Sequence, residues 1–375
     1  MSNFNLKFLE SASNLQPLIK KSLGREPSMK IAREIAVCIQ HGRLFYEAAA
    51  SSPIEIKPLQ MFYGMVNFAK ALIIARNLRA LDTLPQSHGL RDISAKNSRL
   101  EALRVKIENR GTFQEFNNAV SSLNRISYCD VTTPVFKIIP TSTSDEILGK
   151  ELSIKEILSR IPGLEDLYKQ TFNEEPNTSS FLINLLDNYG HCELRIDDSE
   201  LFIDRTSLRR IVMRWRERYP FLQKWCLESA THAWGNSVII FSNIDKTFII
   251  DEFSDDHLKE SDRDFQTRHD YRRDASVKRN DFTSILAPPL GSSSVAHMVA
   301  PFEGTYLSDF SLYYLGMFLL SSVVRYRPQT WGHAISRSVT EENAADDRAV
   351  ALIESFMGNA GSFPGMIAEA IYIPV

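Results

Sequence analysis

The hydrophobic pattern of the N-terminal third predicts helices of two textures. In "EPSMKIAREIAVCIQHGRLFYEAAA", residues 26–50, Ile31, Ile35, Cys38, Ile39 and Phe45 recur at three- and four-residue spacings, the stripe of an amphipathic helix. Pro53 and Pro58 then punctuate a short connection. From Leu59 to Asn77 the chain is apolar nearly all the way round a helix, which predicts a buried element, yet Asn67 and Lys70 stand in its middle. A polar loop through Pro85 to Gly89 follows.

From Ile126 the texture changes. "VTTPVFKIIPT" is β-branched with prolines at its edges, and "CELRIDDSELFID" and "SVIIFSNIDKTFIIDEF" alternate about turn residues as hairpins do. Between them lie two helical patterns, "SIKEILSRIPGLEDLYKQTF" and the basic "DRTSLRRIVMRWRERYPFLQKW". Residues 254–281 are almost devoid of aliphatics and predict an exposed charged loop. "YLSDFSLYYLGMFLLSSVVRYRPQTWGHAI" returns to a buried helical pattern, followed by further C-terminal helices. The fold class is therefore α+β and mostly helical. Three regions are expected: a helical part at 1–125, a mixed α+β region with small antiparallel β-hairpins at 126–290, and C-terminal helices at 291–375 that pack on the first part. Phe62–Ala75 and Tyr313–Val324 are expected to pack together, because neither apolar helix can be covered by its own half of the chain.

Composition narrows the partners only slightly. The 375 residues are 43% hydrophobic and 24% charged with a net charge of −3, so no global field attracts nucleic acid or an anionic membrane, and any electrostatic site is local. Cys38, Cys129, Cys192 and Cys226 form no CxxC pair, which argues against a zinc site or a disulfide framework. The N-terminus lacks the apolar core of a secretory signal, and the longest apolar run is broken by Asp309 and serines. A cytoplasmic setting without a membrane partner is expected.

The chemistry must come from local constellations. Walker A, GxGxxG, HExxH and GxSxG patterns are absent, so no cofactor is expected, and the acidic group Asp251, Glu252, Asp255, Asp256 and His257 reads as a solvated loop rather than a metal site. Asn67 and Lys70 lie one turn apart on one helix face. An unpaired buried amide costs ~1–3 kcal/mol, so the pair requires either structural partners or a polar pocket, to which Tyr63, Arg76, His88 and Arg325 are the candidate contributors. Arg210, Arg214 and Arg218 make a basic stripe at four-residue intervals beside Trp215 and Trp225, a candidate nucleic-acid contact or a solvated face paired with acids.

Several stretches together carry a resemblance: "FYGMVNFAKALI", "HGL" at 88–90, "RGTFQEF", "SRIPGLEDLY" and "YYLGMFLLSSVVRYRPQTW" resemble the YaaC-like family of bacterial proteins, in order along most of the chain. That resemblance carries no assigned chemistry. The apolar helix followed by His-Gly is also similar to HEPN-type helical domains, which implies a HEPN-like bundle of N- and C-terminal helices around the inserted region. HEPN ribonucleases use an Arg followed four to six residues later by a His. Arg76 and Asn77 occupy the Arg-Asn position here, but Leu81 stands where the His belongs, whereas Arg327 and His333 keep the spacing.

Two classes of function stand open. The first is a YaaC-like protein that binds a protein partner, a second copy of itself, or a phosphate-bearing ligand such as nucleic acid; the HEPN-type resemblance, by analogy, suggests bacterial stress response or phage defence as a setting. The second is a metal-independent HEPN-type ribonuclease with Arg327 and His333 as catalytic residues.

Overall fold

A computed structural model of the chain describes residues 6–95, 99–123, 142–185, 192–198, 208–224, 226–233, 236–242, 265–266, 285–286, 295–335 and 344–372. The chain divides into two units. One is helical and is assembled from Ser2–Asn124, Thr141–Thr178 and Leu307–Val375; the other comprises Arg125–Pro140 and Ser179–Tyr306 and carries most of the strands. Residues 141–178, grouped with the middle region from the sequence, thus fall in the helical unit, and the stretch just before Leu307 falls in the other.

The helical unit is built on α1 (Ala12–Leu23), α2 (Met29–Ala50) and α3 (Lys57–Asn77), followed by α4 (Thr112–Ser121), α5 (Ser144–Ile147), α6 (Ile154–Leu158) and α7 (Glu165–Phe172). Ser28 starts α2 by accepting the Ile31 N–H, and Pro58 occupies the first turn of α3, where its missing N–H costs no helix bond. The two helices approach closely because each presents glycine at the crossing. A Cβ at Gly42 would lie 2.8 Å from the Phe68 ring, and one at Gly64 would lie 2.6 Å from the Tyr46 ring. Phe45 departs from the expected core stripe. Cys38 is buried, but Phe45, two turns farther along the same edge of α2, stays 37% exposed and stacks on Tyr63.

Asp309–Tyr326 forms α9, capped by Ser308 accepting the Ser311 N–H, and every residue from Phe310 to Val323 is buried. As the apolar patterns predict, α9 packs on α3: the Phe62 ring meets Tyr314 at 5.5 Å and Phe318 at 5.7 Å, edge to face. Tyr314 also meets Phe113 and Phe116 of α4. Pro328–Ile335 (α10), Ala344–Ala360 (α11) and Phe363–Tyr372 (α12) complete the unit. A small antiparallel sheet joins β1 (Leu90–Asp92), β2 (Arg104–Ile107) and β3 (Glu151–Ser153) in that order.

In the second unit the strands form one sheet: β4 (Thr178–Leu185), β5 (Cys192–Asp197), β6 (Cys226–Ala233), β7 (Asn236–Ser242), β8 (Phe265–Gln266), β9 (Ile285–Leu286) and β10 (Val295–Val299), ordered β8-β6-β7-β5-β4-β10-β9. The pairings of β5 with β4 and β7, and of β6 with β7, are antiparallel. The sequence placed β5 and β7 each in its own hairpin; the second arm of each, and the strand expected within 126–140, lie outside the described residues. The helix α8 (Leu208–Arg218) buries Ile211, Val212 and Trp215. The class is α+β and mostly helical with antiparallel strands.

Candidate functional site

The polar face of α3 consists of Tyr63, Asn67 and Lys70, all half-buried on a helix whose other faces are sealed. Four- and three-residue spacing stacks them along one line. Asn67 uses its amide within the helix, donating to the Tyr63 carbonyl at 2.8 Å, and makes no other hydrogen bond among the described residues. This bond supplies part of the compensation that a half-buried amide requires.

Lys70 and Asn67 also line an open cleft of about 440 Å³ between α3, α2 and the segment 81–86. From α2 come Glu34, Val37, Cys38 and His41, and from the facing segment Leu81, Asp82, Leu84, Pro85 and Gln86. Glu34 anchors that segment by accepting the Leu81 N–H at 2.7 Å. Burial pushes the Cys38 thiol up to about 11, with the Lys70 ammonium acting against that rise and Glu34 adding to it. A buried thiol so far above neutrality is a packing group and not a nucleophile. Among the described residues, Lys70 has no carboxylate within ion-pair distance.

His88 is near enough to Lys70 to feel its charge. Its position is fixed by backbone, because the start of α4 hangs from the same turn: Thr112 N–H donates to Ser87 O at 2.9 Å and Phe113 N–H to His88 O at 3.0 Å. This crossing needs glycine on both segments. Gly89 has φ +74°, and a Cβ on Gly111 would lie 2.1 Å from the Gly89 nitrogen. The imidazole rests edge-on against Phe62 at 5.1 Å and near Phe318 at 6.1 Å. Burial lowers its pKa, and the charges of Arg325 and Lys70 lower it further.

Arg325, in the last turn of α9, closes the set. It donates to the Ser321 carbonyl at 3.3 Å and to the Tyr63 hydroxyl at 3.5 Å, and its guanidinium lies 6.0 Å from the Tyr63 ring centroid. Neither contact neutralises it, and among the described residues no carboxylate pairs with it. Two cations with no acid partner among the described residues therefore bear on one imidazole.

A family profile described as YaaC-like Protein matches residues 7–371, nearly the whole chain. The chain belongs to the YaaC-like family. No curated protein and no solved structure gives a match.

In this YaaC-like protein the remaining candidates lie elsewhere. Arg76 is turned away from Lys70 and donates to the Ala370 carbonyl at 2.8 Å, closing the last turn of α12. Arg327 ends α9 with donations to Ala95 O and Ser94 O, each at 2.9 Å, and a 3.3 Å bond to Asp92. Arg325 and Arg327 flank the corner between α9 and α10, and Trp331 is buried there with its indole N–H on Glu55 O at 3.1 Å. The backbone of His333 lies in α10, and its side chain falls outside the described residues.

The basic stripe on α8 is partly committed to structure. Arg214 and the Trp215 indole both donate to the buried Asp198 carboxylate at 2.6 Å. Arg218 lies 5.4 Å from the Tyr219 ring centroid, and Arg210 is exposed. Trp225 and the acidic group 251–257 lie outside the described residues. Among the described residues no helix is long and apolar enough to cross a membrane.

Sequence patterns missed half of the cleft. Glu34, His41 and Asp82 look like ordinary surface residues in the sequence, and only the return of segment 81–86 onto α2 brings them opposite Lys70. The phase of α2 was the available signal, since Glu34, Cys38 and His41 fall on one side of it.

Proposed function

We propose that this YaaC-like protein acts by binding, and that its ligand is an anionic, phosphate-bearing molecule held against α3 by Lys70, Arg325, His88 and Asn67. The observation that carries the reading is the pair of cations Lys70 and Arg325, neither with an acid partner among the described residues and both acting on the imidazole of His88. Protein folds rarely keep half-buried like charges together without a counter-charge, and a phosphate supplies one, together with acceptors for every donor present. The neutral His88 gains a proton as the anion arrives, and Asn67 adds an amide. Glu34 and Asp82 line the cleft that Lys70 borders, so within this reading the anion is placed at His88 and Arg325 and not in that cleft. We infer a cytosolic setting; a role in stress response or phage defence rests on the partial HEPN-type resemblance alone.

The ribonuclease reading has less support. Arg327, its proposed phosphate-stabilising group, is bound to Asp92 and to two backbone carbonyls.

Calorimetric titration with pyrophosphate tests the binding reading. Wild type should bind, and Lys70→Glu or Arg325→Glu should weaken binding at least about tenfold, the scale of one charge-assisted contact. Absence of binding by wild type at low ionic strength, or undiminished binding by both folded variants, would overturn it.

A further inference from the structure

A ladder of stacked groups runs beside the cations. Phe45 of α2 stacks on Tyr63 of α3 with ring centroids 5.8 Å apart and planes 29° from parallel. The Arg325 guanidinium follows at 6.0 Å from the Tyr63 centroid and lies 5.0 Å from the centroid of Tyr326. Both ends of the ladder are open to solvent: Phe45 is 37% exposed and Tyr326 is 70% exposed. The buried run of α9 stops at Val323, and Tyr326 at the end of the helix adds little to the core.

We propose that this ladder binds unpaired bases of a single-stranded nucleic acid whose phosphates lie at Lys70, Arg325 and His88. The inference rests on the phosphate-binding reading and deepens it, from any phosphate-bearing anion to a base-bearing strand. Its physical basis is the pair of solvent-open rings, Phe45 and Tyr326, at the two ends of a row that holds Tyr63 and the Arg325 guanidinium, which has no carboxylate partner among the described residues. An exposed ring offers a face to any base, since every base has a π-surface, and a guanidinium between two rings serves both a phosphate and a stacked base. Duplexes hide those base faces and are disfavoured by the same geometry. The sequence-tolerant character of stacking gives a binder of strand form and not of base sequence.

Fluorescence anisotropy with a labelled twelve-nucleotide oligouridine tests this at fixed, low salt, with the matching duplex and inorganic polyphosphate as competitors. The single strand should bind at least tenfold more tightly than the duplex. Tyr326→Ala should lose about tenfold, the scale of one stacked base, and Tyr326→Phe should retain wild-type affinity. Polyphosphate affinity should be the same in wild type and Tyr326→Ala. Equal affinity for strand and duplex, or an unaltered Tyr326→Ala, overturns the base-stacking inference while leaving phosphate binding intact. If neither polyphosphate nor oligouridine binds, the phosphate reading falls with it.

Discussion

Arg327 and Asp92 are 3.3 Å apart with both side chains largely shielded from solvent, and they tie the end of α9 to the strand β1. Asp92 further accepts from Ser322 Oγ at 2.8 Å, so one carboxylate gathers helix, strand and corner. Arg327→Ala leaves that carboxylate short of its counter-charge, and two carbonyls lose donors. Denaturant unfolding should show a loss on the order of 3 kcal/mol, as for other shielded pairs broken on one side. Chelator-resistant RNA cleavage by wild type that vanishes in a folded His333→Ala variant would point to a catalytic role for this corner instead.

His88 sets a pH dependence with a definite sign. Its folded-state pKa is lowered by burial and then by Arg325 and Lys70, so between that value and the ordinary one near about 6.5 the unfolded chain binds more protons. Stability therefore falls as pH drops through about 6.5 and levels off below the folded pKa. His88→Gln should lose this component, giving a shallower acid limb in a series of urea melts; parallel limbs would remove His88 as its source. Anion binding works in the other direction, raising the pKa, and titration in buffers of different ionisation enthalpy should register proton uptake.

Gly111→Ala tests the crossing that holds His88. With a Cβ 2.1 Å from the Gly89 nitrogen, one of the two backbones must shift. A destabilisation of roughly 3 kcal/mol or more is expected from thermal unfolding, together with weaker pyrophosphate binding in whatever fraction remains folded. A variant as stable as wild type would mean that the segments separate easily.

Charge reversal on α8 should behave differently from charge reversal on α3. Arg210→Glu with Arg218→Glu is expected to leave oligonucleotide affinity and its salt slope unchanged, whereas Lys70→Glu flattens the slope by about one unit. The reverse result would move the nucleic-acid contact to α8. Arg214 is best left out of this comparison, because it neutralises the buried Asp198.

The sequence made the helical scaffold legible because two helices apolar on nearly every side admit only one environment. Phe62–Ala75 and Tyr313–Val324 had to cover each other, and Tyr314 and Phe318 do meet Phe62. The pairing of Asn67 with Lys70 followed equally directly from helical phase. Arg76 was grouped with them by proximity in sequence, but six residues beyond Lys70 lies about 240° around the helix, and it serves α12 instead. Phe45 was read into the core because spacing cannot tell the centre of a stripe from its edge. Segment 81–86 carries no periodicity, so nothing local announced that it would fold back over Cys38 and create a cleft.

Tyr63 and Arg325 touch across 262 residues of chain, and in sequence all the residues of the second unit from Arg125 to Tyr306 are synthesised between them. At a translation rate of about 5–20 residues per second, α3 emerges from the ribosome about 13–50 s before the helix that covers it. Throughout that interval α3 lacks the partner that covers its Phe62 face, so the newborn chain must shelter it on α2 and α4 or on a chaperone. Production of this protein should therefore depend more on how synthesis is paced and assisted than on the stability of the finished fold.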